Sequence, residues 1–388
     1  MFGKTVTLFK LLGFSVRIDP SWLVILVLVV WSLAGGVFPA AYEGLHWSVY
    51  LTMGLAAALG LFASIVFHEL CHSLVARRYG MSMKGITLFI FGGMAEMGDE
   101  PPSPKAEGLM AIAGPISSVI LAGVFLGLSM GGQALGWPVT VVAVLRWVGI
   151  INLILAGFNM IPGFPLDGGR VLRAVLWRLK GDLRKATETA SKVGLAFGTG
   201  LIVLGFLNLL TLNPLGGLWW ILIGMFVRGA ARQGYRQVLI REALHGEPVH
   251  RFMSTNPVTV SSGASLEELV QDYVYQYHFK MFPVKENGGL SGCVTTREIR
   301  EVPRWQWPVR SVAEIARPCS EDNSISADQD AMQALSLMSR KQISRLMVVD
   351  GERLAGVLSV KDLFEFLSLK LELECDEPVG PEPPEVNE

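Results

Sequence analysis

The sequence predicts a protein in two parts, an all-α membrane domain with several spanning helices followed by a smaller α/β module. The 388-residue chain is 51% hydrophobic and only 17% charged, whereas soluble proteins carry about a quarter charged residues. Long uncharged stretches fill the chain up to about residue 240, and beyond that point charged residues recur every few positions. Two similar copies of one strand-and-helix pattern occupy this charged part.

About six stretches are long and apolar enough to be transmembrane helices, which need about 20 residues each. They are Ser21–Phe38, Trp47–Ala76, the run from Gly108 to the Gly131-Gly132 break, Val139–Met160, and the two halves of Val193–Val227, which Asn213-Pro214 divides. Lys and Arg are concentrated between spans two and three, between spans four and five, and after span six. The positive-inside rule therefore predicts a multi-pass protein of the cell membrane with both termini in the cytoplasm.

The motif His68-Glu69-Leu70-Cys71-His72 lies at the end of the second span. Ionisable groups are costly in lipid, so such a cluster usually has a function. Positions i and i+4 share one face of a helix, so both imidazoles can bind one metal ion. Glu69 can then act as general base on a water molecule at that ion. The motif predicts a zinc peptidase site, although the same pattern also occurs by chance on soluble helices.

Asp167 is the candidate third ligand, because catalytic zinc usually takes three protein ligands. It follows span four and lies at the same predicted membrane level as the histidines. Pro162 and Pro165 end the helix, and Gly168-Gly169 free the backbone to turn the carboxylate inward. The alternative is an ordinary Asp-Gly turn at the membrane surface. Asn159 either hydrogen-bonds the substrate backbone or caps the end of span four.

These motifs resemble those of the site-2 protease family of intramembrane zinc metalloproteases. The pentapeptide at residues 68–72 matches the family's H-E-x-x-H, and Asn159–Gly168 matches its N-x-x-P-x-x-x-L-D-G motif. Leu8–Trp22 is similar to the family's segment before the first helix, and Gly114-Pro115 to its G-P pair in the third. Ser118 stands where Asn is common, and we assign no role to it.

The resemblance covers about residues 1–235 and identifies residues 1–240 as an intramembrane metalloprotease domain. It implies that His68, His72 and Asp167 bind one zinc ion. It further implies that Glu69 activates water to cleave a peptide bond within the lipid bilayer. The expected partner is a membrane protein substrate.

Residues Gly85–Met97, between the two motifs, are predicted to form a β-hairpin, since apolar β-formers flank a Gly-Gly pair. The segment is too short to span a membrane. A hairpin beside the zinc could bind an extended substrate by strand addition along Ile86–Phe91, with Phe89, Gly92 and Gly93 as candidate substrate contacts. A purely structural ribbon that fills the cavity is an equally good interpretation.

Residues 248–370 contain the internal repeat, with one copy at about 252–299 and another at about 315–363. Both copies resemble CBS (cystathionine-β-synthase-type) repeats, which pair into a regulatory module that commonly binds adenine nucleotides. In that family a Ser/Thr-x-x-Asp sequence after the last strand contacts the ribose. Ser359 and Asp362 match this sequence, and Thr295 matches it with Glu298 in place of Asp. The resemblance implies an ATP or AMP site; the alternative is a structural module through which the chain forms homo-oligomers.

The tail at 371–388 is acidic and rich in proline and is predicted to be disordered. The net charge of −1 gives no reason to expect a nucleic-acid partner. The favoured function is an intramembrane zinc protease, regulated by nucleotide, that cleaves a transmembrane segment of a membrane-tethered regulatory protein. The resemblance implies a substrate such as a pro-sigma or anti-sigma factor, and no residue of the chain identifies it. The alternative is a CBS-regulated channel or transporter whose histidines line an ion path. An ion path does not need the second motif, which therefore favours the protease.

Overall fold

The computed structural model describes residues 5–81, 83–90, 92–97, 101–210, 214–351 and 353–374. The chain divides into two compact units, Met1–Val238 and Leu239–Glu388. The first unit contains the helices α1 Ser21–Ser32, α2 Phe38–Ala41, α3 Trp47–Arg78, α4 Pro104–Ala134, α5 Val139–Asn159, α6 Asp167–Lys180, α7 Leu183–Leu209 and most of α8 Pro214–Leu244. A π-helical turn, Leu33–Val37, joins α1 to α2.

Five helical stretches in the described part of the chain are long and apolar enough to cross a membrane, and they coincide with the first five predicted spans. They are Ser21–Ala41, α3, α4, α5 and α7. The sixth predicted span lies on α8. Polar side chains cap the first turns of two of these helices. Ser103 accepts a hydrogen bond from the backbone N–H of Ala106 at the start of α4, and Asp182 does the same for Lys185 at the start of α7.

A four-stranded sheet accompanies these helices, with the strand order β1-β2-β3-β4. The strands are β1 Val6–Leu11, β2 Phe14–Ile18, β3 Met83–Phe89 and β4 Gly92–Met97. The predicted hairpin is therefore present as the antiparallel pair β3–β4. The sequence analysis missed the preceding hairpin, in which Leu12 and Gly13 both adopt positive φ, as a two-residue hairpin turn requires.

The β1–β2 hairpin changes which strands of the sheet have an open edge that a substrate could pair with. Strand β2 pairs with β3 in parallel, so β3 is bonded on both sides and lies in the interior of the sheet. Among the residues that the structure describes, the edge strands of this sheet are β1 and β4. The prediction that Ile86–Phe91 adds a strand to the substrate is thus wrong for Ile86–Leu88, because β2 already pairs with these residues, and Phe91 lies outside the described residues. Gly92 and Gly93, by contrast, lie on an edge strand.

The second unit is an α/β module whose two halves repeat the same strand pairing. Its strands are β5 Val260–Ser261, β6 Met281–Glu286, β7 Gly289–Thr295, β8 Arg317–Pro318, β9 Ser324–Ser326, β10 Arg345–Asp350 and β11 Arg353–Ser359. Its helices are α9 Leu266–Glu268, α10 Tyr275–Tyr277, α11 Thr296–Glu301, α12 Ala331–Lys341 and α13 Val360–Glu374. Each half pairs a short strand in parallel with the first strand of an antiparallel hairpin.

Each half of the module has its own apolar core, as the internal repeat predicts. Met281 and Cys293 from the first half and Met347 from the second form a third buried cluster that joins them. The module is therefore one folded unit rather than two independent repeats. Helix α13 continues to Glu374, so the prediction of a disordered tail is wrong for residues 371–374, and the rest of the predicted tail lies outside the described residues.

Candidate metal centre

The two histidines of the H-E-x-x-H motif are buried on one face of α3, and α4 holds both rings. Nδ1 of His68 lies 2.9 Å from Oγ of Ser118, and Nδ1 of His72 lies 2.7 Å from the carbonyl oxygen of Met110. A carbonyl can only accept, so Nδ1 of His72 carries the hydrogen. This leaves its Nε2 with a lone pair for a metal. The contacts of α4 thus fix the orientation of both imidazoles.

Asp167 completes a set of three ligand atoms. Its Oδ2 lies 3.1 Å from Nε2 of His68 and 3.2 Å from Nε2 of His72, and all three atoms lie within 4.8 Å of one another. Atoms that surround one zinc ion tetrahedrally at about 2.1 Å are ~3.4 Å apart, so the observed spacing fits a single small cation. Burial acts to raise the pKa of Asp167, but the two imidazoles next to its carboxylate outweigh burial and hold the pKa below its usual range. The carboxylate is therefore ionised, as a ligand must be.

Gly114 leaves the space that the imidazoles and a metal would need. A Cβ atom at this position of α4 would lie within 3.0 Å of Nε2 of both His68 and His72. Side-chain atoms do not approach each other so closely, so only glycine fits here. The Gly114-Pro115 pair therefore has a steric role at the metal centre.

The turn before Asp167 is held against α7 by close backbone contacts. The N–H of Phe164 donates to the carbonyl of Ala190 at 3.1 Å, and a Cβ at Gly194 would clash with the carbonyl oxygen of Phe164. The structure also corrects the reason for Gly168-Gly169. Both residues are helical, and a Cβ on either would clash with the backbone of the turn at Met160–Phe164. They allow close packing rather than an unusual backbone conformation.

A buried ion pair connects α4 to α6, the helix that begins with Asp167. Nε of Arg173 donates to Oε1 of Glu107 at 2.6 Å, and its Nη2 contacts the same oxygen. Glu107 is fully buried, and Arg173 nearly so. Removing either partner would leave an uncompensated buried charge, which is strongly destabilising. The pair therefore fixes α6, and with it Asp167, relative to the helix that orients the histidines.

The candidate general base lies directly under the edge strand β4. A Cβ at Gly93 would lie 2.9 Å from Cγ and 3.5 Å from Oε1 of Glu69. Strand β4 therefore passes next to the carboxylate, which lies on the side of the strand that a Gly93 side chain would occupy. Phe89 lies on the neighbouring strand, where its ring centroid is 5.9 Å from that of Phe226.

Asn159 is the last residue of α5, and its Nδ2 donates to the carbonyl of Leu155 in its own helix at 3.0 Å. A contact with substrate stays a prediction. The sequence analysis missed Glu107, Met110 and Ser118, which share the site-facing side of α4 with Gly114. The available signal was a helical spacing of 107, 110, 114 and 118, which places these positions on one face of an apolar helix.

The candidate nucleotide residues lie at the starts of two helices in the second unit, and each forms a capping box there. The N–H of Ser359 donates to Oδ2 of Asp362, and the N–H of Asp362 donates to Oγ of Ser359. Thr295 and Glu298 form the equivalent reciprocal pair at α11. Glu298 also bonds Arg317 at 2.6 Å. These residues thus have a structural role in the fold, and a ribose contact stays a prediction.

Comparison with protein-family models gives two matches. Peptidase family M50 matches residues 56–140 and 130–201, and the CBS domain matches residues 249–304 and 312–369. The first match contains all the candidate zinc ligands and the candidate base. The second covers both copies of the internal repeat.

Several proteins of other organisms are similar to the chain over nearly its whole length. A protein of Synechocystis sp. that is named as a zinc metalloprotease is 36% identical over 92% of this chain and 94% of its own. A zinc metalloprotease of Methanocaldococcus jannaschii is 30% identical over 95% of this chain and 98% of its own. Among solved structures, the site-2 protease from Methanocaldococcus jannaschii is 32% identical, with a TM-score of 0.42, over 60% of this chain and 96% of that one.

Proposed function

Since the chain belongs to peptidase family M50, the site-2 protease family of zinc metalloproteases, and carries two CBS domains, we propose that it cleaves a membrane-tethered regulatory protein within a transmembrane segment. In this proposal His68, His72 and Asp167 hold the zinc ion, and Glu69 is the general base. The observation that carries it is the convergence of two Nε2 atoms and one carboxylate oxygen at the end of an apolar, membrane-length helix. Family membership disfavours the channel or transporter alternative.

The residues around the site have separate tasks in peptide hydrolysis. Zinc, when bound, polarises the scissile carbonyl and makes a water molecule more acidic. Glu69 takes a proton from the attacking water as the water oxygen bonds to the carbonyl carbon. It then gives that proton to the amine nitrogen as the carbon–nitrogen bond breaks. Ser118 and the carbonyl of Met110 hold the imidazoles throughout, so the ligands need no rearrangement.

Substrate must reach this site as an extended strand, because a transmembrane helix hides its amide groups in its own hydrogen bonds. Strand β4 is an edge strand of the described sheet and passes next to Glu69, which supports strand addition as the way in which the substrate is held. Gly92 and Gly93 are then substrate-contacting residues through their backbone. Phe89 and Asn159 remain candidates for contacts with the substrate's side chains and backbone.

Single proline substitutions along Met94, Ala95 and Glu96 of β4 are expected to separate substrate pairing from folding. Successive N–H groups of an edge strand alternate between the neighbouring strand and the open side. Proline at a position whose N–H faces the open side should reduce cleavage of a transmembrane substrate at least tenfold while zinc content is kept, because it removes a donor only the substrate would use. Cleavage assays and metal analysis of purified variants measure both quantities.

The matched control is a proline scan of Thr7–Lys10 on β1, the opposite edge of the same sheet. Proline at its outward-facing positions should leave cleavage unchanged. If every β4 variant that retains zinc also cleaves at the wild-type rate, strand addition at β4 is rejected and the sheet is a structural ribbon.

We further propose that the paired CBS domains bind ATP or AMP and regulate cleavage, with Ser359, Asp362 and Thr295 contacting the ribose. A ligand shifts an equilibrium only through different affinities for two states, so nucleotide must favour one conformation of the module. The capping box at Ser359–Asp362 places one carboxylate at a helix start after the last strand of the repeat, which supports this assignment. Thr295 has the weaker case, because Arg317 occupies one oxygen of Glu298.

Asp362→Ala is expected to weaken adenine nucleotide binding by about 1–3 kcal/mol, which is the cost of an unmatched buried hydrogen-bonding group. Isothermal titration calorimetry of the full chain with ATP, ADP and AMP measures it. Asp330→Ala is the matched control. Asp330 also caps a helix of the second repeat, α12, so its loss lowers stability in the same way without touching the proposed site. Equal affinities for the two variants would place the nucleotide elsewhere, and no binding to wild type would remove the sensor role.

The distribution of Lys and Arg supports a location in the cell membrane with both termini, and hence the CBS domains, in the cytoplasm. We propose in addition that the chain forms homo-oligomers through its CBS domains.

A further inference from the structure

An open surface cavity of about 550 Å³ lies between the C-terminal end of α6 and one face of α7. Pockets for small ligands typically measure roughly 300–1,000 Å³, so its size suits a headgroup or a small molecule. The residues that line it are Lys180, Lys185, Glu188, Thr189, Lys192, Val193 and Ala196. None of them belongs to the metal centre or to the paired repeats of the second unit.

The cavity has an excess of positive charge. Lys180 ends α6, and Lys185 and Lys192 lie two turns apart on the same face of α7. Lys192 pairs with Glu188 at 2.8 Å, whereas Lys185 makes only a loose 3.6 Å contact with Asp182. Both lysine side chains are more than half exposed, at 61% and 71%. Among the residues that the structure describes, no carboxylate lies within ion-pair distance of Lys180.

The surroundings of the cavity are those of a membrane surface. Helix α7 is a candidate span that becomes uncharged from Val193 onward. Helix α6 is too short to span, and it exposes Val175 and Leu179 while its last turn is basic. A short helix with a basic side and exposed apolar residues lies in the membrane interface. This pattern is expected to place the lysines at the level of lipid headgroups, with Val193 and Ala196 just inside the apolar layer.

We propose that this cavity binds an anionic phospholipid, with the headgroup phosphate among Lys180, Lys185 and Lys192 and the first acyl-chain carbons against Val193 and Ala196. Basic pockets between helices at a membrane surface bind anionic headgroups, and lysine stems can pack along the chain while their ammonium groups reach the phosphate. A free phosphate would use the lysines but leave the apolar part of the lining without a partner. The bound lipid ties α7 to the far end of α6, the helix that begins with Asp167.

The test is native mass spectrometry of the delipidated full chain in detergent, titrated with dioleoylphosphatidylglycerol or dioleoylphosphatidylcholine. The wild-type protein should bind dioleoylphosphatidylglycerol at least tenfold more tightly than dioleoylphosphatidylcholine. Each lysine near an anionic surface contributes a factor of roughly five, so the triple variant K180Q/K185Q/K192Q should lose about 100-fold in affinity for phosphatidylglycerol. The triple arginine variant should keep binding. A196W, which fills the cavity without changing charge, should abolish it.

The control is K280Q/K285Q/K361Q, which removes three exposed lysines from the second unit and should leave lipid binding unchanged. Wild-type affinity of K180Q/K185Q/K192Q for phosphatidylglycerol would overturn the proposal, as would equal loss in the control. If inorganic phosphate at the same concentration as the lipid displaces phosphatidylglycerol, the site binds free anions and the proposal of a lipid site is rejected. Retained helical circular dichroism confirms that each variant is folded.

Discussion

Replacing His68, His72 or Asp167 by alanine is expected to remove bound zinc and abolish cleavage. The three ligand atoms lie within 4.8 Å of one another, and catalytic zinc takes three protein ligands, so two cannot hold the ion alone. The measurement is zinc content by mass spectrometry of the purified chain, together with cleavage of a reconstituted transmembrane substrate. Asp167→Ala is the decisive variant because Asp167 comes from a different helix, 95 residues from His72.

Glu69→Gln is expected to keep zinc and lose cleavage by about 10²–10⁴-fold, the usual contribution of a general base. Glutamine has the size of glutamate but cannot take a proton, so it removes only the chemical step.

Asp182→Ala serves as the control for Asp167→Ala. Asp182 is likewise an acid at the start of a helix, but it caps α7 away from the ligands, so zinc and cleavage should both persist. A full complement of zinc in Asp167→Ala would refute the ligand assignment.

Gly114→Ala is expected to disrupt the metal centre although it adds only one methyl group. The new Cβ would lie within 3.0 Å of Nε2 of both His68 and His72, so at least one imidazole must move. The histidines cannot turn away without losing their bonds to Ser118 and the carbonyl of Met110. Zinc affinity should fall by more than about 100-fold, which exceeds the usual effect of removing a group that orients a ligand. Competition with a chelator of known affinity measures the change.

Gly123→Ala provides the matched control, since it makes the same substitution in the same helix where nothing lies within 4 Å. Alanine favours a helix over glycine by about 1 kcal/mol, so this variant should be at least as stable as wild type and keep its zinc. If Gly114→Ala binds zinc as tightly as Gly123→Ala does, the imidazoles have room that the structure does not indicate.

The parts of the protein that follow from local pattern could be predicted from sequence. Uncharged runs of membrane length located the spans, and the repeat located the two halves of the second unit, since both depend only on residue order. His68 and His72 could be paired because i and i+4 always share a helix face. Asp167 needed more than periodicity. It was found because its motif resembles that of a known family and because both segments end at one predicted membrane level.

Long-range contacts explain what the sequence analysis missed or explained incorrectly. Strand β2 joins β3 from far along the chain, so β3 was taken for an edge although it lies inside the sheet. Gly168 and Gly169 are ordinary helical residues whose importance comes from the turn that packs on them. Glu107 was not among the predicted site residues, because its burial depends on pairing with Arg173, 66 residues away in the sequence.

The sequence by itself determined the class of the protein, its membrane spans, its paired repeats and the identity of the candidate ligands and base. These depend on composition, periodicity and motif, which are properties of the linear chain. Only the tertiary structure decided that α4 orients both imidazoles through Ser118 and Met110, that Gly114 leaves space at their Nε2 atoms, and that β4 passes beside Glu69. The physical reason is that such contacts depend on how distant segments pack, and no local spacing specifies which side chains will meet.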